Sequence, residues 1–166
     1  MKPSTSVSTP VGTKKENGIQ PVFVITVDDP QRVGDPIRAY TMYTVHTKVR
    51  TCNVSGMHKS QCLRQTTSPM YKKSTFSVLR RYSDFLWLYE TLSMNNPGVV
   101  VPPVPGKNTF GRFNEDFVQQ RRVALEKCIQ KIANHPVLQK DTDLKMFLES
   151  DTFALDVRRY PLRDTG

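Results

Sequence analysis

The fold is decided by residues 74–92, STFSVLRRYSDFLWLYETL, where the spacing of apolar residues changes from every second position to every third or fourth. Phe76 and Val78 alternate with polar residues, which predicts a strand with one buried face. The residues that follow are spaced as in an amphipathic helix, and Ser83 or Asp84 is predicted to cap it. The apolar positions of this helix are Phe85, Leu88, Tyr89 and Leu92.

Two further strands are predicted before this stretch. Residues 21–27 (PVFVITV) are apolar and β-branched, and they are followed by a turn signal at residues 28–30 (DDP). Residues 37–48 (IRAYTMYTVHTK) alternate, so that one set of side chains shares a face. That set is Ile37, Ala39, Thr41, Tyr43 and Val45. Three consecutive strands joined by turns predict an antiparallel meander.

Helices are predicted after the strands. Residues 99–113 form a proline-rich connection, and Asn114 then caps a helix that continues to about Asn134. Asp141 caps a last, shorter helix. Strands first and helices afterwards indicate the α+β class. We therefore predict a three-stranded antiparallel sheet packed against a helical subdomain with a proline-rich loop.

The chain divides by composition into a disordered tail at 1–20, a folded domain at 21–153 and a second tail at 154–166. Within the domain, residues 49–72 show neither helical nor strand periodicity, which is unusual for so long a loop. One explanation is a retained intron. A codon for Val49 can begin with GT and a codon for Gln65 can end with AG, and these are the dinucleotides at the two ends of an intron. The other is a genuine basic insertion loop. In both cases residues 49–65 are predicted to be dispensable.

The positive charge of this chain is local. Of the net charge of +9, six charges come from residues 48–73 and two from residues 1–20, so the rest of the chain is nearly neutral. Nucleic-acid binding normally needs a wide basic surface and is disfavoured. No apolar run is long enough to span a membrane, and no signal-peptide core is present, so we expect a cytoplasmic protein.

Signals for an enzyme are poor. The three histidines have no recognisable nucleophile or carboxylate partners in the sequence, and no glycine-rich phosphate loop occurs. The three cysteines show no metal-ligand spacing. We therefore predict a protein that is not an enzyme and that uses no cofactor and no metal.

Four cations and one aromatic residue are the candidates for a binding site. Arg80 and Arg81 end a strand and must point to opposite faces, so only one can line a pocket beside Tyr82. Arg121 lies inside the apolar stripe of the long helix at about 100° per residue. It therefore either has a structural role, in which its head extends to solvent or pairs with an internal acid, or lines a pocket. Lys107 directly follows the stiff VPPVPG segment.

Three segments together resemble phox-homology (PX) domains over about residues 21–153. They are RRYSDF at 80–85, VPPVPGK at 101–107 and FVQQRRVALEKCI at 117–129. Residues 98–107 and 132–153 are most similar to retromer-associated sorting nexins, which join a PX domain to a membrane-curving BAR domain. Because the chain ends at Gly166, no expectation of membrane curving or dimerisation is drawn from this similarity.

The resemblance implies a pocket for phosphatidylinositol 3-phosphate. Arg81 would bind the 3-phosphate, and Tyr82 would stack beneath the inositol ring. Lys107 would reach the 1-phosphate, and Arg121 would bind the 4- and 5-hydroxyls. The choice between the 3-phosphate and the 3,5-bisphosphate stays open at this point.

The resemblance also implies a cellular role. Val104 and Phe110 would dip into the bilayer, and the chain would recruit a sorting-nexin-like protein to endosomal membranes for protein transport. Its partners would be the phosphoinositide-containing surface and retromer or other sorting nexins, without nucleic acid. The alternative is a protein-interaction module that uses the proline loop or a sheet edge and binds lipid weakly.

Overall fold

A computed structural model describes residues 20–52, 71, 73–107 and 111–159. Residues 1–19 of the predicted tail at 1–20, most of the 49–72 insertion and Phe110 lie outside the described residues, whereas Gln20 already belongs to the first strand. The statements that follow concern the described part of the chain.

The three predicted strands form one antiparallel sheet in the order β1-β2-β3. They are β1 (Gln20–Val33), β2 (Tyr40–Cys52) and β3 (Thr75–Arg81). The prediction of an α+β fold with a three-stranded antiparallel sheet is confirmed.

The predicted turn at residues 28–30 is instead an irregularity within β1. The register shifts between Asp28 and Gln31, and Asp29 has a φ of 49°. Aspartate tolerates this left-handed conformation better than most residues, so the strand bends and continues. The chain reverses later, around Gly34, whose φ is 99°. Ile37, predicted to share the buried face of β2, lies in this reversal and is 89% exposed.

The two ends of the predicted insertion belong to the core. β2 extends past the predicted end at Lys48, and Val49 pairs with Phe23 while its side chain is buried. Tyr71 is also buried, with its ring 5.4 Å from that of Phe23 and 5.9 Å from that of Phe76. The sequence missed these contacts because each residue is a single apolar position beside a stretch without periodicity.

Four α-helices follow the sheet. They are α1 (Tyr82–Asn95), α2 (Glu115–Asn134), α3 (Thr142–Glu149) and α4 (Phe153–Arg159), with a short 3-10 helix at Leu138–Lys140. Asn114 and Asp141 cap α2 and α3 as predicted. The N-cap of α1 is Arg81, and Asp84 accepts a hydrogen bond from the Arg81 backbone N–H. Helix α4 occupies residues that composition had assigned to the second tail.

Helix α2 packs along β1 and satisfies the backbone at the sheet edge. The Gln130 side chain accepts from Ile25 N–H and donates to the Phe23 carbonyl, and Glu126 accepts from Val27 N–H. These bonds occupy backbone groups with which another strand could pair.

One apolar core fills the space between the sheet and the helices. The helical stripes predicted from the sequence face it. The buried residues include Phe23, Val45, Val78, Phe85, Leu88, Leu92, Leu125, Ile129, Ile132, Leu144, Phe147 and Leu148.

Candidate functional site

Arg81 is the last residue of β3 and the N-cap of α1. Its side chain is 49% exposed, and its Nε lies 3.2 Å from the Asp84 carboxylate. The same carboxylate accepts a hydrogen bond from the Arg81 backbone N–H at 2.8 Å, so it holds both the backbone and the side chain of Arg81. Since an arginine side chain offers no acceptor, the N-cap contributes no side-chain acceptor to the first-turn N–H groups. The partial positive charge of the helix N-terminus therefore adds to that of the guanidinium.

Arg80 points the other way and is buried, with 2% of its surface exposed. Its guanidinium donates to the carbonyls of Phe147, Ser150 and Leu79 at 2.6–2.9 Å. Burial lowers the pKa of Arg80 to about 10, an effect opposed by nearby carboxylates. The prediction that only one of the two arginines faces a pocket agrees with this arrangement. Arg80 is a packing residue.

Tyr82, the first residue of α1, joins that helix to the proline loop. Its hydroxyl donates to the Pro105 carbonyl, and its ring is half-buried. Burial raises the pKa of Tyr82, and the charge of Arg121 opposes the rise. The loop is held at other points too, because the Cys128 thiol lies 3.4 Å from the Pro102 carbonyl and Val101 is buried.

Arg121 reaches the same region from α2. Its guanidinium carbon lies 4.2 Å from the Tyr82 ring centroid and 4.4 Å from that of Phe117. Its Nη2 makes a long contact of 3.4 Å with the Gly106 carbonyl, and its buried Nε has no hydrogen-bond partner among the described residues. Of the two explanations that the sequence left open, the structure agrees with a pocket. The neighbouring Arg122 is instead paired with Asp28 and Glu126.

These side chains surround a cleft of about 340 Å³, near the lower end of the range of roughly 300–1,000 Å³ for small-molecule sites. Its walls come from the start of β2, the β3–α1 junction, the turn before α2, and α2 itself. The lining residues that the structure describes include no aspartate or glutamate. They are Arg38, Ala39, Tyr40, Thr41, Arg81, Tyr82, Ser83, Arg112, Phe113 and Arg121.

Sequence reasoning missed two of the four arginines. Arg38 enters from the β1–β2 reversal, and Arg112 enters from the turn before α2. No local pattern distinguishes either one from a solvated surface charge. Phe113, at the end of the proline-rich connection, is half-buried in the cleft wall. Its ring lies under Arg32 at 4.3 Å and Arg112 at 4.8 Å.

Two other predicted site residues lie apart from the cleft lining. Lys107 is exposed and does not line the cleft, although the carbonyl of its neighbour Gly106 contacts the cleft residue Arg121. Val104 is partly buried and packs against the core, which limits the apolar surface it could offer a bilayer. Phe110, the other residue predicted to enter the membrane, lies outside the described residues.

Comparisons with known proteins agree with this geometry. The family model of the PX domain matches residues 68–151. The chain belongs to the PX domain family. The match contains the β3–α1 junction, the proline loop and most of the helical subdomain.

The relatives of this PX domain include trafficking proteins. It is 40% identical over 131 residues to the vacuolar protein sorting-associated protein vps5 of Schizosaccharomyces pombe, covering 79% of the chain and 20% of that protein. It is 34% identical over 156 residues to sorting nexin-1 of Bos taurus, covering 87% of the chain and 27% of that protein. The chain thus corresponds to about a fifth to a quarter of these relatives' length.

A solved structure supports the same assignment. The designed CISK-PX domain is 26% identical and superposes with a TM-score of 0.56, covering 76% of this chain and 99% of that one. Within the described part of this PX domain, none of the helices has the length and apolar composition needed to cross a bilayer.

Proposed function

We propose that this PX domain is a phosphoinositide-binding module rather than an enzyme. The observation that carries the proposal is the cleft at the start of α1, which gathers four arginines around aromatic rings and contains no lining carboxylate among the described residues. Guanidinium groups bind phosphate through charge-assisted, often bidentate hydrogen bonds. A phosphorylated ring matches both the charge and the aromatic character of such a cleft.

Arg81 is the proposed ligand of the 3-phosphate. Its half-exposed guanidinium is already oriented by Asp84, and the N-terminus of α1 favours an anion at the same place. Arg121 would bind the ring hydroxyls with donors that the protein leaves largely unused. Lys107, next to Gly106, would reach the 1-phosphate where the lipid tail leaves the cleft. Phosphatidylinositol 3-phosphate is the favoured monophosphate.

Tyr82 has two proposed roles. One face of its ring is covered by the Arg121 guanidinium, so only the other face would be left for the inositol ring. Its hydroxyl also fixes the proline loop at Pro105, which holds Lys107 close to the cleft. Loss of the ring would therefore affect both the floor of the site and the position of Lys107.

The proposed cellular role follows the relatives. Their names include vacuolar protein sorting and sorting nexin, so we propose recruitment to endosomal membranes during protein transport. The protein would be cytoplasmic and peripheral on the membrane, with retromer or sorting-nexin partners. The protein-interaction alternative is less favoured, because the β1 edge is bonded to α2 and the proline loop is docked on the domain.

Vesicle sedimentation tests the proposal. The chain should pellet with vesicles that contain phosphatidylinositol 3-phosphate and much less with phosphatidylinositol 4-phosphate or phosphatidylserine at equal charge. Arg81→Gln should remove this difference, whereas Lys127→Gln, which removes an exposed charge on α2, should preserve it. Equal binding to all vesicles of equal charge would reject head-group recognition.

A further inference from the structure

The two edges of the sheet differ in how their backbone groups are satisfied. At the β1 edge, side chains of α2 bond the N–H groups of Ile25 and Val27 and the carbonyls of Phe23 and Val27. At the β3 edge, among the residues that the structure describes, only the Leu79 carbonyl has such a partner, the guanidinium of Arg80. One edge of the sheet is therefore closed by the protein itself, whereas the other is open to a further strand.

The pairing of β3 with β2 shows which backbone groups are open. The Val49 N–H donates to the Ser74 carbonyl at 2.9 Å, and hydrogen-bonded pairs recur at every second residue of an antiparallel ladder. The N–H and carbonyl groups of Thr75, Ser77 and Leu79 therefore point away from β2. All three of these residues are exposed. We call the stretch 75–79 the open edge.

We propose that the open edge pairs with the open edge of a second copy of this chain, which would join the two three-stranded sheets into one continuous sheet. The stretch is centred on Ser77. A two-fold axis at that residue would place Ser77 opposite the second copy's Ser77, and Thr75 opposite the second copy's Leu79. Residues paired in this way exchange both backbone hydrogen bonds. This surface is separate from the cleft, and the inference does not rest on head-group binding.

Opposite charges lie at the two ends of the open edge. The Thr75 end follows residues 48–73, which contain six basic residues and no acidic one, and Lys73 is exposed. The other end has Asp151, an exposed residue that lines a groove of about 360 Å³ together with Leu79. Asp151 forms no ion pair within the described part of the chain. The edge is therefore basic at its start and acidic at its end.

This charge distribution favours the two-fold arrangement. With the axis at Ser77, the Lys73 end of each copy lies beside the Asp151 of the other copy, whereas a parallel pairing would bring like charges together. Leu79 is 55% exposed in the single chain, and the second copy's Thr75 would cover part of it. Because the paired stretch is short, the dimer would be weak and would form most readily where many copies share one surface.

Analytical ultracentrifugation at chain concentrations up to about 1 mM measures the pairing. Ser77→Pro removes the N–H that the second copy would bond, but no bond to β2, so the sheet should be retained. Ser77→Ala is the matched control, because both variants lose the hydroxyl that contacts His46 and only proline lacks the N–H. We expect the unmodified chain and Ser77→Ala to dimerise alike, and Ser77→Pro to associate about tenfold or more weakly.

Charge reversal tests the orientation of the two copies. Asp151→Lys and Lys73→Glu should each weaken the dimer severalfold at low salt, because each places like charges together at both ends of the paired edge. The two changes in one chain should restore the association, since every contact between the copies is then reversed. Failure of the combined variant to recover would reject the two-fold arrangement.

Crosslinking locates the axis, and it remains decisive if the proline variant does not fold. In a chain that carries Cys52→Ser and Cys62→Ser, Ser77→Cys should crosslink to itself with a short thiol reagent, since opposite strand residues lie about 5.5 Å apart. Thr75→Cys is the control, because its two copies would lie about 13 Å or more apart along the strands. A mixture of Thr75→Cys and Leu79→Cys chains should crosslink.

Three results would overturn the inference. The first is a chain that stays monomeric up to about 1 mM, and the second is a dimer that Ser77→Pro, folded by thermal unfolding, does not weaken. The third is equal crosslinking of Ser77→Cys and Thr75→Cys, which would show contact without this register. Hydrogen exchange separates the causes of a monomeric result, because slow exchange of the Ser77 and Leu79 amides in a monomer would mean that another part of the chain covers the edge.

Discussion

Arg80 and Arg121 are both arginines held against two aromatic rings, yet the two regions they occupy have different roles. Arg80 lies 5.2 Å from the Phe147 ring and 4.4 Å from the Phe153 ring, and it donates to three backbone carbonyls. Arg121 has a similar pair of rings, but its Nε is without a partner among the described residues. Aromatic contact alone therefore does not identify a binding arginine.

The informative difference is where the N–H groups point. In the Arg80 region, they satisfy carbonyls at the end of α3, where an α-helix leaves its last carbonyl groups without partners. Arg121 instead lines the cleft, and its side chain makes a single long hydrogen bond, to the Gly106 carbonyl, among the described residues. Its guanidinium is therefore much less satisfied by the protein than that of Arg80, and a ligand that accepts hydrogen bonds would gain more from it. The predictions below test this contrast.

The largest effect should come from Arg80→Ala. The change leaves the carbonyls of Phe147 and Ser150 without their donors, at roughly 1–3 kcal/mol each, and opens a cavity between two rings. We expect a loss of about 4 kcal/mol or more in the free energy of unfolding, measured by urea denaturation. The sequence predicted only that Arg80 and Arg81 point to opposite faces.

Arg80→Lys is the control for this change. Lysine keeps the charge but has no fork that could reach two carbonyls together, so it should recover only part of the stability. An Arg80→Ala protein that unfolds at the same urea concentration as the unmodified chain would show that the carbonyl contacts are not structural. The contrast between the two regions would then be lost.

The next effect compares the two sides of α2. Leu125 is fully buried, so Leu125→Ala should cost about 2–5 kcal/mol of stability and leave the head-group affinity of the folded protein unchanged. Arg121→Ala should cost only about 1 kcal/mol, because partly exposed cation–π contacts contribute about 0.5–1 kcal/mol each. It should weaken head-group binding strongly. Thermal unfolding and lipid titration of both variants measure the two effects.

The opposite pattern would contradict the comparison. If Arg121→Ala unfolds the domain and a bound phosphoinositide does not stabilise the unmodified chain, Arg121 is a packing residue like Arg80. If Leu125→Ala weakens lipid binding while leaving stability intact, Leu125 belongs to the cleft. Either result would mean that the residue concerned had been assigned to the wrong region, the packed core or the cleft.

The sequence predicted the parts of this molecule that local pattern controls. The change of apolar period at residues 74–92 defined β3 and α1, and Asn114 and Asp141 predicted two helix starts correctly. Arg121 was found because helical geometry relates residues a few positions apart. The resemblance to PX domains, confirmed by the comparisons, supplied the individual head-group roles, which remain predictions.

The sequence could not predict contacts that tertiary folding creates. The carbonyls that bind Arg80 belong to residues 67 and 70 positions later in the chain, apart from that of its neighbour Leu79. Arg38 and Arg112 reach the cleft only because a hairpin reversal and a later turn fold over it. Neither event leaves a periodic signal, so both arginines resembled ordinary surface charges.

The pH dependence of stability tests the buried side of α2, which carries the Cys128 thiol. Burial raises the pKa of the Cys128 thiol from 9.0 to about 11, so the folded state favours the neutral thiol. The resulting stability is fully present below pH 9 and is lost as the pH rises from 9 to 11, by about 2–3 kcal/mol in total. Alkaline pH should therefore destabilise the packing side of α2 first.

Cys128→Ala isolates this effect. The variant should be less stable at pH 8 because it loses a buried side chain, but its stability should fall less steeply between pH 9 and 11. Melting temperatures of both proteins at four or five pH values in this range provide the measurement. Parallel curves for the two proteins would show that the thiol does not titrate with a raised pKa.

The smallest effect concerns the end of β2. The sequence predicted that residues 49–65 could be deleted with no loss of stability. Because Val49 is buried and its N–H donates to the Ser74 carbonyl at 2.9 Å, the structure supports a shorter deletion. Removing residues 53–65 keeps the pairing of β2 with β1 through Cys52, whereas removing 49–65 also deletes the buried valine.

We expect the shorter deletion to retain the stability of the unmodified chain. The longer deletion should lose about 2 kcal/mol, because the buried side chain of Val49 and its strand hydrogen bond no longer contribute. Both deletions remove Lys59 and Arg64, and the longer one also removes Arg50, so non-specific binding to phosphatidylserine should fall in each. Phosphoinositide selectivity should persist, because the cleft lies at the other end of the strand, where β2 begins.

Urea denaturation and vesicle sedimentation of the two deletions test these expectations. Equal stability of both would mean that Val49 does not contribute to the core, and loss of selectivity in the shorter one would place residues 53–65 in the site.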